Sequence, residues 1–154
     1  MKIRKATKKD KKNFIEVQKE AFPNLNSKKQ SKYFDEKLNK KEIFVVGDKE
    51  YAGHVCFGNH KLSPPFSGGV FIEELAIKKK LRGQGIGTSL INYLINYCKK
   101  SKIGMIYLST GDYKKNKSID YYKKLGFVKI GVLKEINPHS EYSYGQIIMG
   151  NKLK

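Results

Sequence analysis

A chain of 154 residues is one domain's worth and can bury a core without disulfide or metal support. Hydrophobic residues make up 39% of it, with Phe and Tyr plentiful and no Trp, which excludes a disordered tail. The net charge of +18 comes from lysines scattered along the whole chain, with only Arg4 and Arg82 as arginines, whereas a nucleic-acid reader relies on arginine forks; nucleic acid is therefore not the expected partner.

The opening Met1-Lys2-Ile3-Arg4-Lys5 turns polar at once and shows no signal peptide, and no apolar stretch approaches a membrane span. The expected location is cytoplasmic, with no membrane partner. Lys2 to Ala6 reads as a short strand. Thr7 offers an N-cap, and Phe14, Ile15, Val17, Ala21 and Phe22 line one side of a helix that stops before Pro23. Ser27 is the expected cap of a second helix carrying Tyr33, Phe34 and Leu38. Glu42 to Val46 and Tyr51 to Phe57 read as a hairpin turning at Gly47-Asp48. Gly58 to Gly69, with Pro64-Pro65, reads as a loop. Val70 to Ile77 is the strongest strand pattern, and a glycine loop follows it after a lysine run. The helix from Ile86 to Lys100 keeps Ile86, Leu90, Ile91, Leu94, Ile95 and Cys98 on one face. Then come a strand from Ile103 to Leu108, a helix with Ile119, Tyr122 and Leu125 ended by Gly126, and strands Phe127 to Leu133 and Tyr142 to Met149. Cys56 and Cys98 stand apart in apolar surroundings and belong to no metal-ligand pattern, so buried free thiols are expected and no metal. These elements make one α/β domain.

The order strand, Arg82-Gly83-Gln84-Gly85-Ile86-Gly87-Thr88, helix has a physical meaning. Glycines allow a tight turn and close approach of a ligand, and the first-turn N–H groups with the macrodipole behind them suit a phosphate. A P-loop would need Lys after its last glycine, and Thr88-Ser89 follow Gly87 instead. A dinucleotide fingerprint would need a third glycine where Thr88 stands, and an acidic residue after the next strand, which ends in Ser109-Thr110.

Leu75-Ala76-Ile77, a short spacer, then Arg82, Gly85 and Gly87 resemble motif A of the GNAT superfamily of acetyl-CoA-dependent N-acetyltransferases. The resemblance implies acetyl-CoA as co-substrate, with Arg82, Gly83, Gln84, Gly85, Ile86, Gly87 and Thr88 around its pyrophosphate. It also implies that the main chain of Leu75, Ala76 and Ile77 pairs with the pantetheine arm. Asn116-Lys117-Ser118-Ile119-Asp120-Tyr121-Tyr122-Lys123-Lys124-Leu125-Gly126-Phe127 resembles motif B, which implies Tyr122 as the general acid for the leaving thiolate and Asn116 as a cofactor contact.

Glu73 and Glu74 interrupt the apolar strand. Burying a carboxylate is costly without a partner, so something offsets that cost; an edge or solvent-facing position paired with a lysine is one candidate. Strict alternation would send one glutamate to each face unless a bulge intervenes. An alkyl amine of pKa about 10.4 is neutral in only roughly one molecule in 2,500 at pH 7, so a nearby carboxylate can attract the cation and take its proton. The pair looks like the acidic residues of GNAT enzymes acting on polyamines and other cationic amines. Glu73 is expected as the base and Glu74 as the amine binder, with the two roles exchangeable.

The resemblance implies a GNAT fold over residues 1–154: a central mixed, mostly antiparallel twisted sheet of about six or seven strands flanked by about four helices. It implies an N-acetyltransferase working by direct transfer to a small-molecule or peptide amine. A protein Nα- or lysine acetyltransferase and a basic nucleic-acid-binding module on the same fold stay open, as does the homodimer this fold often forms.

Overall fold

The computed structural model describes residues 1–48, 50–58, 68–134 and 145–154. Seven strands and four helices follow in chain order: β1 (Ile3–Lys5), α1 (Lys11–Ala21), α2 (Ser27–Asn39), β2 (Ile43–Gly47), β3 (Tyr51–Gly58), β4 (Gly69–Ile77), α3 (Ile86–Lys100), β5 (Met105–Gly111), α4 (Ser118–Lys124), β6 (Val128–Leu133) and β7 (Gln146–Lys152). The strand order is β1-β2-β3-β4-β5-β7-β6. Among the ladders whose register is resolved, β4–β5 is parallel and β1–β2, β2–β3, β5–β7 and β6–β7 are antiparallel. The mixed, mostly antiparallel sheet and the four helices are those expected. The chain forms two compact units, one from residues 1–59 with Glu73–Tyr97 and the other from residues 60–72 with Cys98–Lys154; β4 and α3 each contribute to both.

In the first unit, Phe14 and Val17 of α1 and Phe34 of α2 pack on Ile43, Val45, Tyr51, Cys56 and Ala76. The alternate β2 residue Phe44 meets Tyr93 and Tyr97 of α3 at centroid distances of 4.9 and 5.2 Å. Both faces of β2 and β3 are thus covered, which is why β3 is buried along its whole length and reads as a continuous apolar run. Gly47 closes β2 with φ +150°, where an added Cβ would lie 2.1 Å from the Glu50 carbonyl oxygen, so the expected hairpin turn depends on glycine.

Several element boundaries differ from the sequence reading. Asn26, not Ser27, caps α2, its Oδ1 accepting from the N–H groups of Lys28 and Lys29. A 3-10 turn, Lys8–Asp10, precedes α1. The buried Asp10 carboxylate accepts from the Thr7 N–H and hydroxyl and takes the Arg4 guanidinium through two 2.8 Å bonds.

In the second unit, α3 unwinds through Lys102 at φ 56°, with the Ile103 N–H donating to the Cys98 carbonyl. That closure consumes the residues before Met105, so β5 begins two residues later than expected and runs on to Gly111. Gly126, at φ +84°, ends α4 as its sequence position implied. The last strand starts at Gln146 and extends to Lys152; residues 142–144 of the expected strand, and most of the expected loop before Gly69, lie outside the described residues. Cys56 and Cys98 are buried free thiols, as expected.

Candidate active site

Lys37 is the one buried lysine among the described residues, 4% exposed on α2. Its Nζ donates to Glu42 Oε2 at 2.9 Å, to the Phe57 carbonyl at 3.1 Å and to Glu73 Oε1. The other oxygen of Glu73 accepts from the Tyr33 hydroxyl at 2.7 Å. Glu73 is thus clamped by two α2 side chains four residues apart, the spacing that places them on one helix face.

Glu74 is held differently. Its Oε2 accepts from Nε2 of Gln18, a fully buried residue on α1. Donor atoms of Glu74, His54 and Cys56 all lie within 4.8 Å of one another. Burial pushes the Glu74 carboxyl up to about 7, with the Glu73 carboxylate adding to the rise and Gln18 and Lys37 opposing it. The His54 ring is fully buried, stacked 4.2 Å from Phe14 and bonded through Nδ1 to the Tyr51 hydroxyl at 2.8 Å; burial lowers its pKa to about 3, so it is neutral. The separation of the two glutamates to opposite faces does not hold, because the Glu73 carboxyl meets Tyr33 and Lys37 of α2 and the Glu74 carboxyl meets Gln18 of α1, two helices that share one core. The buried Lys37 ammonium needs a counter-charge, and Glu73 supplies it on that layer.

After β4 in the chain, the glycine loop carries two left-handed residues, Gly83 at φ +78° and Gly85 at φ +77°. A Cβ at either would meet nothing within 4 Å, so conformation and not crowding calls for glycine there. The Gly85 carbonyl accepts the Ser89 N–H, which starts α3 and leaves the first-turn amides of Ile86, Gly87 and Thr88 as donors beyond the helix's own bonding. That turn contains no acidic residue. Arg82 does not extend freely: its Nε donates to the Ile77 carbonyl at 3.0 Å and braces the loop against the end of β4.

In the second unit, Tyr122 is buried on α4, its ring edge-on to Tyr121 and Phe127 at 5.0 and 5.5 Å. Burial raises its phenol pKa, so the hydroxyl keeps its proton at neutral pH. Asn116 has a local occupation. Its Nδ2 donates to Thr110 Oγ1 at 2.9 Å and to the Gly111 carbonyl at 2.6 Å, and its Oδ1 accepts from the Ser118 N–H and hydroxyl at the start of α4.

The sequence reading missed Gln18, Lys37 and His54. The available signal was periodicity. Gln18 lies four residues after Phe14 on α1, and Lys37 three after Phe34 on α2, both on apolar faces.

A family model described as the acetyltransferase (GNAT) family matches residues 11–127, a span from the start of α1 to Phe127 just past α4. The chain belongs to this family. Acetyl-CoA binding is typical of that family. The chain is 41% identical over 63 residues to an uncharacterized N-acetyltransferase of Methanocaldococcus jannaschii; the match covers 41% of this chain and only 27% of that relative's length. The fold is also that of a ribosomal-protein-alanine N-acetyltransferase from Brucella melitensis, with a TM-score of 0.82 at 18% identity over 99% of this chain and 100% of that one. An aminoglycoside 6'-N-acetyltransferase from Enterococcus faecium matches with a TM-score of 0.79 at 20% identity, over 100% of this chain and 98% of that one. These two likenesses speak for the fold alone. No helix among the described residues is long and apolar enough to cross a membrane.

Proposed function

We propose that this N-acetyltransferase moves the acetyl group of acetyl-CoA to the primary amine of a polyamine or another small cationic amine, by direct attack in a ternary complex. The observation that carries the acceptor side is the unequal setting of two adjacent carboxylates. Glu73 has both oxygens engaged by Lys37 and Tyr33, whereas Glu74 is held through one oxygen by Gln18 and is poised by burial near 7. A base matched to neutral pH is the effective one, so Glu74 takes the amine proton and Glu73 contributes negative charge that attracts the ammonium. This exchanges the two roles expected first. Among the described residues, Glu42, Glu73 and Glu74 gather around the Lys37 ammonium, a carboxyl-rich setting suited to a cationic amine.

The amine nitrogen attacks the thioester carbonyl carbon, and its proton passes to Glu74. A β4 amide near Leu75 or Ala76 stabilises the oxyanion. The carbon–sulfur bond then breaks, and the Tyr122 hydroxyl protonates the departing thiolate. Amides from Gly83 to Thr88 hold the pyrophosphate, with Arg82 bracing the loop. The β4–β5 ladder ends at Ile72, which leaves the main chain of Leu75 and Ile77 outside that ladder for the pantetheine arm. Asn116, with both amide hydrogens used locally, supports α4 and through it Tyr122. Neither cysteine serves as a covalent relay, since burial pushes both thiols up, Cys98 to about 11.

The test is initial rates with polyamines, aminoglycosides, amino acids and peptides, followed by glutamine variants on the best acceptor. Glu74→Gln should lower kcat/KM at pH 7 by on the order of 100-fold or more, with Glu73→Gln costing less. An unchanged rate in Glu74→Gln removes that residue as the base. Turnover of peptides alone would favour a protein Nα- or lysine acetyltransferase.

A further inference from the structure

Lys37 takes no part in the chemistry above, yet its ammonium is fully committed. Three hydrogens on Nζ meet three acceptors, from Glu42, Phe57 and Glu73. Its anchorage is doubled, because the Glu42 N–H donates to the Lys37 carbonyl at 2.9 Å and the Phe57 N–H to the Glu42 carbonyl at 3.1 Å. Tyr33, one turn earlier on α2, both donates to Glu73 and lies under the Lys37 ammonium, 5.8 Å from Nζ to the ring centroid. Such a construction is more than a buried lysine needs for a single counter-ion. It fixes one of two neighbouring carboxylates and leaves the other to a neutral amide.

We propose that Lys37 is a positioning residue that divides the work of the two glutamates, clamping Glu73 in an ion pair so that Glu74 alone exchanges protons with the acceptor amine. The inference rests on the reading of Glu74 as the base. Two adjacent carboxylates with no cation between them titrate as a coupled pair, with the proton belonging to both. A cation committed to one of them breaks that symmetry. The groups facing Glu74 are Gln18 from α1, Tyr33 and Lys37 from α2, His54 and Cys56 from β3, and Glu73 on its own strand. His54 is neutral, and burial holds the Cys56 thiol and the Tyr33 hydroxyl in their protonated forms. Within that set Lys37 is the positive charge and Glu73 the negative one, so deleting either moves Glu74 in opposite directions.

The experiment needs no acceptor. Protein labelled with 13C at the glutamate carboxyl is titrated by NMR, with the Glu74 resonance assigned from its loss in Glu74→Gln. Wild type, Lys37→Met, Glu73→Gln and the double variant are compared, with melting temperatures recorded alongside. Lys37→Met should raise the Glu74 midpoint and Glu73→Gln should lower it, each by about one pH unit, with the double variant returning close to wild type. A purely structural lysine would lower the melting temperature and leave the midpoint in place. That result, or shifts of both variants in the same direction, overturns the proposal. If Lys37→Met does not fold, Lys37→Gln removes the charge while keeping a hydrogen-bond donor, and the same upward shift is expected. The base assignment fails separately, through undiminished acetyl transfer in Glu74→Gln.

Discussion

Glu74 carries a cost that the rest of the first unit absorbs. Its carboxyl takes its proton near 7 in the folded chain, against an ordinary value of 4.5, with burial as the main cause. A raised folded value means that stability is greatest below the unfolded value and is lost as pH rises through the folded one. Glu74→Gln removes this dependence while keeping a side chain that Gln18 can still meet. The variant should therefore gain melting temperature over the wild type at pH 8 and gain little or nothing at pH 5. Thermal melts at the two pH values check it, and an equal difference at both would mean that Glu74 ionises in the fold without penalty. In the role of base proposed for it, Glu74 would trade stability for activity at a single position.

At the scale of elements, the start of α1 depends on one carboxylate. Asp10 ends the 3-10 turn and gathers the Thr7 N–H, the Thr7 hydroxyl and the Arg4 fork. Burial works against its charge, yet Arg4 and Thr7 hold its carboxyl below the usual range. A depressed folded value gives stability that is present above the unfolded value and lost as pH falls through the folded one. Asp10→Ala should cost about 1.5–3 kcal/mol at pH 7, the scale of hydrogen bonds to a charged group. Urea unfolding at pH 7 and pH 3 should show that gap narrowing in acid; a constant gap would assign the loss to packing. This element also marks how far the sequence could be read. The α3 stripe, the hairpin and the glycine loop were legible because apolar spacing and glycine geometry are local signals. Asp10, Gln18 and Lys37 were not, because a polar residue on a helix reads as solvated until its partners from distant segments are known. Lys37 was hidden further by the lysines around it. The second glutamate's role was open for the same reason: the asymmetry between Glu73 and Glu74 is set by α1 and α2, more than 30 residues earlier in the chain.

For the whole molecule, the charge of +18 has to be reconciled with a proposed acceptor site built on carboxylates. The lysines beside the glycine loop are partly spoken for, since Lys78 and Lys80 both pair with Glu50. With two of the three lysines before the loop paired, the field of the entire surface is the more economical source of attraction for an anionic co-substrate. Such a field is screened over about 10 Å at 0.1 M salt and about 3 Å at 1 M, whereas the contacts proposed for the loop amides would be little affected. Raising sodium chloride from about 0.05 to 0.5 M should therefore increase KM for acetyl-CoA several-fold through slower capture, with kcat nearly constant. Converting only Lys79 and Lys80 to Gln should reproduce a small part of that change. A KM indifferent to salt would separate the surface charge from the cofactor. Steeply salt-dependent RNA binding, together with no thermal protection by acetyl-CoA, would then assign that charge to nucleic acid. The salt response thus decides whether the basic surface serves the acetyl transfer or a second partner.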